Sequence, residues 1–142
     1  MQMHTIIKCL EIPPRDWFVL DVVRAPSRGD WCALMVDVPP DELKQNLATI
    51  IERAQARHIT VVLAGMEAPP NFGRDYLVSF HQVYPALAKQ YHVAFLPFLL
   101  DGVAGNTELN QRDGIHPTAE GAHIVAKNVW TVLKPMLAGA RS

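Results

Sequence analysis

Apolar positions in this chain alternate between short β-branched runs and longer stretches of helical period. Trp17 to Val23 is a continuous apolar run bearing one acid, the pattern of a buried parallel strand. Pro39-Pro40-Asp41-Glu42 marks a helix start, with acids in the first turn where the helix dipole favours them. Leu43, Leu47, Ile50, Ile51 and Ala54 then recur at three- and four-residue steps and define one apolar face through about Arg57. Ile59 to Ala64 predicts a second strand. A second helix is predicted from about Arg74 to Gln90, with Leu77, Phe80, Val83, Tyr84, Leu87 and Tyr91 on its apolar side and Pro85 removing one ladder bond. His92 to Phe98 predicts a third strand and Leu99 to Val103 a short turn of helix. Thr118 to about Leu137 predicts the last helix, with Ala122, Val125, Val129, Val132 and Leu133 facing inward.

The front of the chain is less regular. Met3 to Leu10 fits a short strand or part of a helix, Pro13 and Pro14 break the chain, and Trp31 to Val38 reads as irregular or as an edge strand. Strands alternating with amphipathic helices call for right-handed crossovers and a parallel sheet. The expectation is an α/β chain, residues 1–142 forming one three-layer α/β/α domain, with strands near Trp17 to Val23, Ile59 to Ala64 and Val93 to Pro97 paired in parallel.

Composition narrows the functional classes. The chain has 142 residues, 49% hydrophobic and 19% charged, enough to bury a core. Its formal net charge of −1, with thirteen basic residues scattered among fourteen acids, gives no nucleic-acid footprint. Cys9 and Cys32 are two thiols without a disulfide framework, and free thiols are expected. No apolar run approaches the roughly eighteen residues of a membrane span, and the N-terminus lacks a signal-peptide pattern, so a cytoplasmic location is the default.

The stretch with the clearest chemical promise is Arg112-Asp113-Gly114-Ile115-His116-Pro117-Thr118-Ala119-Glu120-Gly121. Gly114 and Pro117 put Asp113 and His116 on a tight turn, where the carboxylate accepts a hydrogen bond from one ring nitrogen and leaves the other as a base. As a bare spacing, Asp-x-x-His equally fits a turn-capping acid beside a surface histidine. His116, His123 and Asp113 make too small a set for a metal site, and none is expected. His4, His58, His81 and His92 read as isolated, solvated histidines, and Glu67 as a solvated loop acid.

The wording DGIHPTAEGAHIVA closely resembles the last block of the GDSL or SGNH hydrolases. The similarity extends through PPNFGRDYLVSFHQVYPALAKQYHVAFLPFLL and, more loosely, PPDELKQNLATIIERAQARHITVVLAGM, covering about Val38 to Leu137. These blocks look like the bacterial thioesterase I, lysophospholipase and arylesterase branch. The resemblance implies a flavodoxin-like SGNH fold and serine-type hydrolysis of carboxylic esters or acyl thioesters. It assigns Asp113 and His116 as acid and base, and implies no cofactor and a small-molecule substrate. Gly65, Met66, Pro69, Asn71 and Phe72, in the loop at the carboxyl end of the second strand, are expected beside the acyl group, with Ile115 from the Asp-x-x-His turn.

The resemblance is incomplete at the front. The family's Gly-Asp-Ser block, its glycine block and its Gly-x-Asn-Asp block are not readable, and the first strand and helix are expected to be missing or altered before about residue 38. Of Ser27, Ser79 and Ser142, only Ser27 follows a strand and precedes a Gly-Asp pair, which makes it the candidate nucleophile. The alternative is a catalytically inactive α/β remnant that binds an acyl ligand or a protein partner. A missing edge element leaves apolar surface that proteins hide by pairing, so self-association into a homo-oligomer is expected. Sedimentation at tens of micromolar, roughly where modest interfaces assemble, checks this, and a clean monomer would contradict it.

Overall fold

Val61, Val62, Leu63 and Ala64 are all buried, although successive residues of a strand point to opposite faces. A strand covered on both sides belongs inside a layered α/β sheet, and β-branched residues fit that position. The computed structural model describes residues 5–7, 17–20, 22–24, 39–68, 70–114 and 116–139. The chain divides into two compact units, Met1–Pro97 and Phe98–Ser142.

The first unit contains β1 (Thr5–Ile7), β2 (Trp17–Leu20), β3 (Val22–Arg24), α1 (Pro40–Gln55), β4 (Thr60–Ala64), α2 (Arg74–Tyr91) and β5 (Ala94–Leu96). The central sheet has the order β2-β4-β5, parallel throughout, with Trp17 opposite Thr60 and Val62 opposite Ala94. The three predicted strands therefore pair as expected. The Trp17 to Val23 run, however, is divided. β2 joins the parallel sheet, whereas β3 pairs antiparallel with β1, Thr5 facing Arg24. A count of apolar residues has no means of seeing where one run changes partners.

Both helices cover the Val61 and Leu63 face of β4. Leu43, Leu47 and Ile51 of α1 meet Phe80, Val83, Tyr84, Leu87 and Ala88 of α2 in one buried cluster, with Ile50, Ala54 and Tyr91 packed against it. This is the apolar stripe that the spacing predicts. Proline occupies the first helical position of α1, where its missing N–H costs no intrahelical bond, and the Leu43 N–H reaches the Pro39 carbonyl at 3.0 Å. Helix α2 runs through Pro85. The chain leaves α1 through His58 at φ 59° and α2 through His92 at φ 52°. Both take the left-handed conformation usually supplied by glycine, which gives these two histidines a place in the helix ends.

The α1 and α2 ends are also joined by polar contacts. The Tyr91 hydroxyl donates to Glu52 Oε1 at 2.6 Å, and Gln55 Nε2 donates to the Tyr91 carbonyl at 2.9 Å.

In the second unit, α3 (Ala119–Gly139) is the main element. The predicted helical turn at Leu99 to Val103 is instead a pair of turn bonds, from the N–H groups of Val103 and Ala104 to the Leu100 carbonyl at 2.9 Å each. Gly102 at φ 75° and Gly105 at φ 75° stop a right-handed helix from continuing. Along α3, Val125, Val129, Val132 and Leu133 are half-buried as expected, but Ala122 is exposed and Gly121 is the buried residue of the first turn. Among the described residues no helix is long and apolar enough to cross a membrane.

The Tyr91 contact generates a pH prediction. Its hydrogen bond to Glu52, burial and the charge of Glu52 push the phenol above its ordinary 10.0. A group whose folded value is raised contributes stability that is complete below the unfolded value and disappears as pH rises through the folded one. Tyr91→Phe is expected to melt at a lower temperature than the parent at pH 7, with the difference closing as pH rises past 10.0. Thermal melts of the two proteins from pH 7 upward check this.

Candidate active site

A hairpin in the second unit sets the geometry of the Asp-x-x-His turn. Asn110 and Pro117 form an antiparallel bridge. The Gln111 N–H donates to the His116 carbonyl at 2.7 Å, and the Thr118 N–H donates to the Leu109 carbonyl at 2.8 Å. At the tip, the Gly114 N–H reaches the Gln111 carbonyl at 2.8 Å, and Gly114 has φ 71°. Glycine adopts that conformation without steric cost, so Gly114, next to Asp113, lets the chain reverse.

The turn delivers both oxygens of Asp113 to His116. Oδ2 lies 2.7 Å from Nδ1 of the ring, and Oδ1 accepts the backbone N–H of His116 at 3.0 Å. The carboxylate thus grips one residue through ring and backbone. In the tautomer that donates from Nδ1 to Asp113, Nε2 keeps its lone pair. The His116 and Asp113 side chains are 50% and 43% exposed, so backbone hydrogen bonding rather than burial holds them. Proline after the histidine and Thr118 at the helix start complete the arrangement. The Thr118 hydroxyl accepts the Gly121 N–H at 3.3 Å, as an N-cap does.

The Gly65–Gly73 loop belongs to the first unit. Gly65 is buried, its N–H donates to the Leu96 carbonyl at 2.8 Å, and a Cβ at this position would stand 2.2 Å from the Pro97 carbonyl oxygen. Only glycine fits there. Met66 and Ala68 pack against the core, Asn71 is exposed in a 3-10 turn (Pro70–Phe72), and the exposed Phe72 ring stands 5.5 Å from Tyr76. Ser27, Pro69 and Ile115 lie outside the described residues, as do Cys9, Cys32 and the Trp31 to Val38 stretch. Ser79 is exposed on α2.

Two features escape sequence reasoning. Glu67 and His81 are not isolated: Oε1 of the acid lies 2.6 Å from Nδ1 of the ring, joining the loop to α2. They stand fourteen residues apart, and no local period connects a loop acid with a helix histidine. The other is Asn110, buried, whose carboxamide donates to the carbonyls of Val103 and Asn106. Its setting in a polar run reads as ordinary loop. Among the described residues no three metal-ligating side chains converge.

A parallel α/β fold, with a carboxylate-steadied imidazole on the turn before a helix, is the architecture of an SGNH-type hydrolase. The chain belongs to the GDSL-like lipase/acylhydrolase family, whose model matches residues 30–124. It is 43% identical over 98 residues to the esterase TesA of Pseudomonas aeruginosa, covering 69% of this chain and 49% of the relative. It is 32% identical over 98 residues to an Escherichia coli thioesterase 1, covering 69% of this chain and 47% of the relative. The crystal structure of TesA matches with a TM-score of 0.64 at 43% identity, over 68% of this chain and 53% of that one. The chain spans about half the length of the curated relatives it matches.

Two predictions follow from these contacts. At Gly121 an added Cβ would lie 2.2 Å from the Leu109 carbonyl oxygen and 3.1 Å from the Pro117 side chain. Helix propensity alone favours Gly121→Ala by about 0.5–1 kcal/mol, whereas overpacking costs about 1–3 kcal/mol, so a net loss in urea denaturation is expected. A gain in stability would show that the hairpin and helix can separate freely. Glu67→Gln, by contrast, should change global stability by less than about 1 kcal/mol, because the pair is solvent-exposed. Urea denaturation of the single variants and the double variant checks this.

Proposed function

We propose that this chain carries the acid–base part of a serine-type hydrolase of carboxylic esters or acyl thioesters, with His116 as base and Asp113 as its supporting acid. The observation that carries this reading is the double engagement of His116 by Asp113, 2.7 Å at the ring and 3.0 Å at the backbone. Family membership and the names of the relatives, an esterase and a thioesterase, support the same chemistry.

In the proposed reaction, Nε2 of His116 removes the proton of a serine hydroxyl as its oxygen attacks the substrate carbonyl. The imidazolium so formed is stabilised by the Asp113 carboxylate and returns the proton to the leaving alcohol or thiol. Water then enters by the same route and releases the acid. Ser27 is the candidate nucleophile within this chain. Gly65, Met66, Pro69, Asn71 and Phe72 are proposed substrate contacts, supported by the position of their loop after β4, where open α/β sheets take ligands; Ile115 is proposed from its place on the Asp-x-x-His turn.

The unread serine and oxyanion blocks set the expected rate. General base catalysis contributes about a hundred- to ten-thousandfold, and losing one oxyanion donor typically costs on the order of a hundredfold or more. Purified protein offered short- and medium-chain aryl esters and acyl thioesters is therefore expected to show at most weak turnover, abolished by His116→Ala, with substoichiometric labelling by a serine-directed phosphonate. Robust turnover with labelling at Ser27 would show a complete site within this chain. Turnover that survives His116→Ala would remove His116 from the reaction.

A further inference from the structure

An acid and a base half open to solvent need something other than burial to hold them. Ordering exposed side chains costs entropy, and the bonds that offset it form only when the backbone brings the two side chains into register. Beneath this turn the backbone rests on Asn110, which is 6% exposed and is the buried polar residue among those described. Its Nδ2 donates to the Val103 carbonyl at 2.6 Å and to the Asn106 carbonyl at 2.8 Å. Its own backbone sits in the bridge with Pro117, one residue beyond the base. Val103, which receives one of the two bonds, is fully buried.

Much of the local structure converges on the same two carbonyls. The Val103 oxygen also accepts the Asn106 N–H at 3.1 Å, and the Asn106 oxygen also accepts the N–H groups of Leu109 at 3.2 Å and Asn110 at 3.1 Å. The turns from Leu100 to Leu109 are therefore closed onto the hairpin base by one carboxamide. A second asparagine, Asn128 on α3, donates to the carbonyls of Leu99 at 3.2 Å and Asp101 at 2.9 Å. It fastens the same turns from their other end.

We propose that Asn110 is a positioning residue of the Asp113–His116 pair: its carboxamide, bonded to the Val103 and Asn106 carbonyls, fixes the hairpin on which acid and base meet. The inference deepens the hydrolase reading and rests on it for its catalytic consequence. Asparagine suits the role because both bonds need a donor and the carboxamide supplies two N–H groups from one short side chain. Asp of the same shape would turn a carboxylate toward two carbonyl oxygens, and Ser would keep a single donor.

The test reads the imidazole directly. Histidine labelled with 15N in the intact chain reports which ring nitrogen of His116 holds the proton, and amide exchange reports the backbone bonds at Gly114 and His116. Asn110→Asp at neutral pH is expected to lose the Nδ1–H signature and to speed exchange at both amides by about tenfold or more, as loss of local hydrogen bonding does. Asn110→Ser should fall between it and the parent, and it decides the matter if Asn110→Asp does not fold. Asn128→Ala, a control with the same kind of bonds, should lower the melting temperature and leave the His116 signals unchanged. Asn110 variants that melt earlier but keep the parent tautomer and exchange rates would overturn the proposal, as would Asn128→Ala moving the His116 signals equally. Turnover is scored apart: with measurable activity, kcat is expected to fall in the Asn110 variants while KM holds, and the reverse split would overturn the positioning role. A parent chain without turnover counts against the proposed reaction, while the imidazole readout still decides whether Asn110 positions His116.

Discussion

The meeting of Asp113 and His116 in the second unit depends on two backbone hydrogen bonds that fold the chain back on itself, Gln111 N–H to the His116 carbonyl and Thr118 N–H to the Leu109 carbonyl. They bring Asn110 and Pro117 into register, and that register places Asp113 near His116. A net hydrogen bond contributes only about 1 kcal/mol, so no single bond fixes the turn. Its rigidity comes from agreement among several: the Gly114 tip, the threonine cap of α3, and the contact of Gly121 with the Leu109 carbonyl, each satisfied by the same path of the chain.

In the first unit β4 has the corresponding role. It lies between β2 and β5, is buried on both faces, and receives α1 and α2 on one of them. The loop after such a strand leaves a rigid element at a fixed point. Gly65 makes the departure tight, because the Pro97 carbonyl occupies the space a side chain would need. Rigid strands that launch loops let an α/β fold support varied chemistry, since loop composition can change without altering the sheet.

How much of this was legible in the chain depends on the range of the interaction. Helices α1 and α2 and strand β4 follow from periodicity, because burial of Leu43, Leu47 and Ile51 or of Phe80, Val83 and Leu87 imposes a local spacing that the eye can read. The contact between Asp113 and His116 is legible for the same reason, the two being three residues apart on a glycine turn. The exchange of partners between β2 and β3 was not, since strand pairing is a long-range choice. Ala122 was placed inside by its spacing but is exposed, because the tight seat of Gly121 on the hairpin sets the rotation of the first turn of α3. Asn110 leaves no trace in the pattern; a buried asparagine and an exposed one read alike until their partners are known.

Among the described residues, two carboxylate–histidine pairs are of nearly equal length, and they differ in how firmly the acid holds the ring. Glu67 and His81 meet at 2.6 Å across fourteen residues, from a loop to a helix, through a side chain with one more rotor than aspartate. The acid meets the ring through one carboxylate oxygen, and the entropy of holding two exposed side chains offsets most of its Coulomb gain. Asp113 grips His116 twice, ring and backbone, on a turn whose ends are bonded together. The second contact ties the carboxylate to the backbone of the residue whose ring it meets. In the reaction proposed above, a base gains from that coupling because its orientation is set in advance. The loop pair lacks it, and its geometry suits a tether between loop and helix.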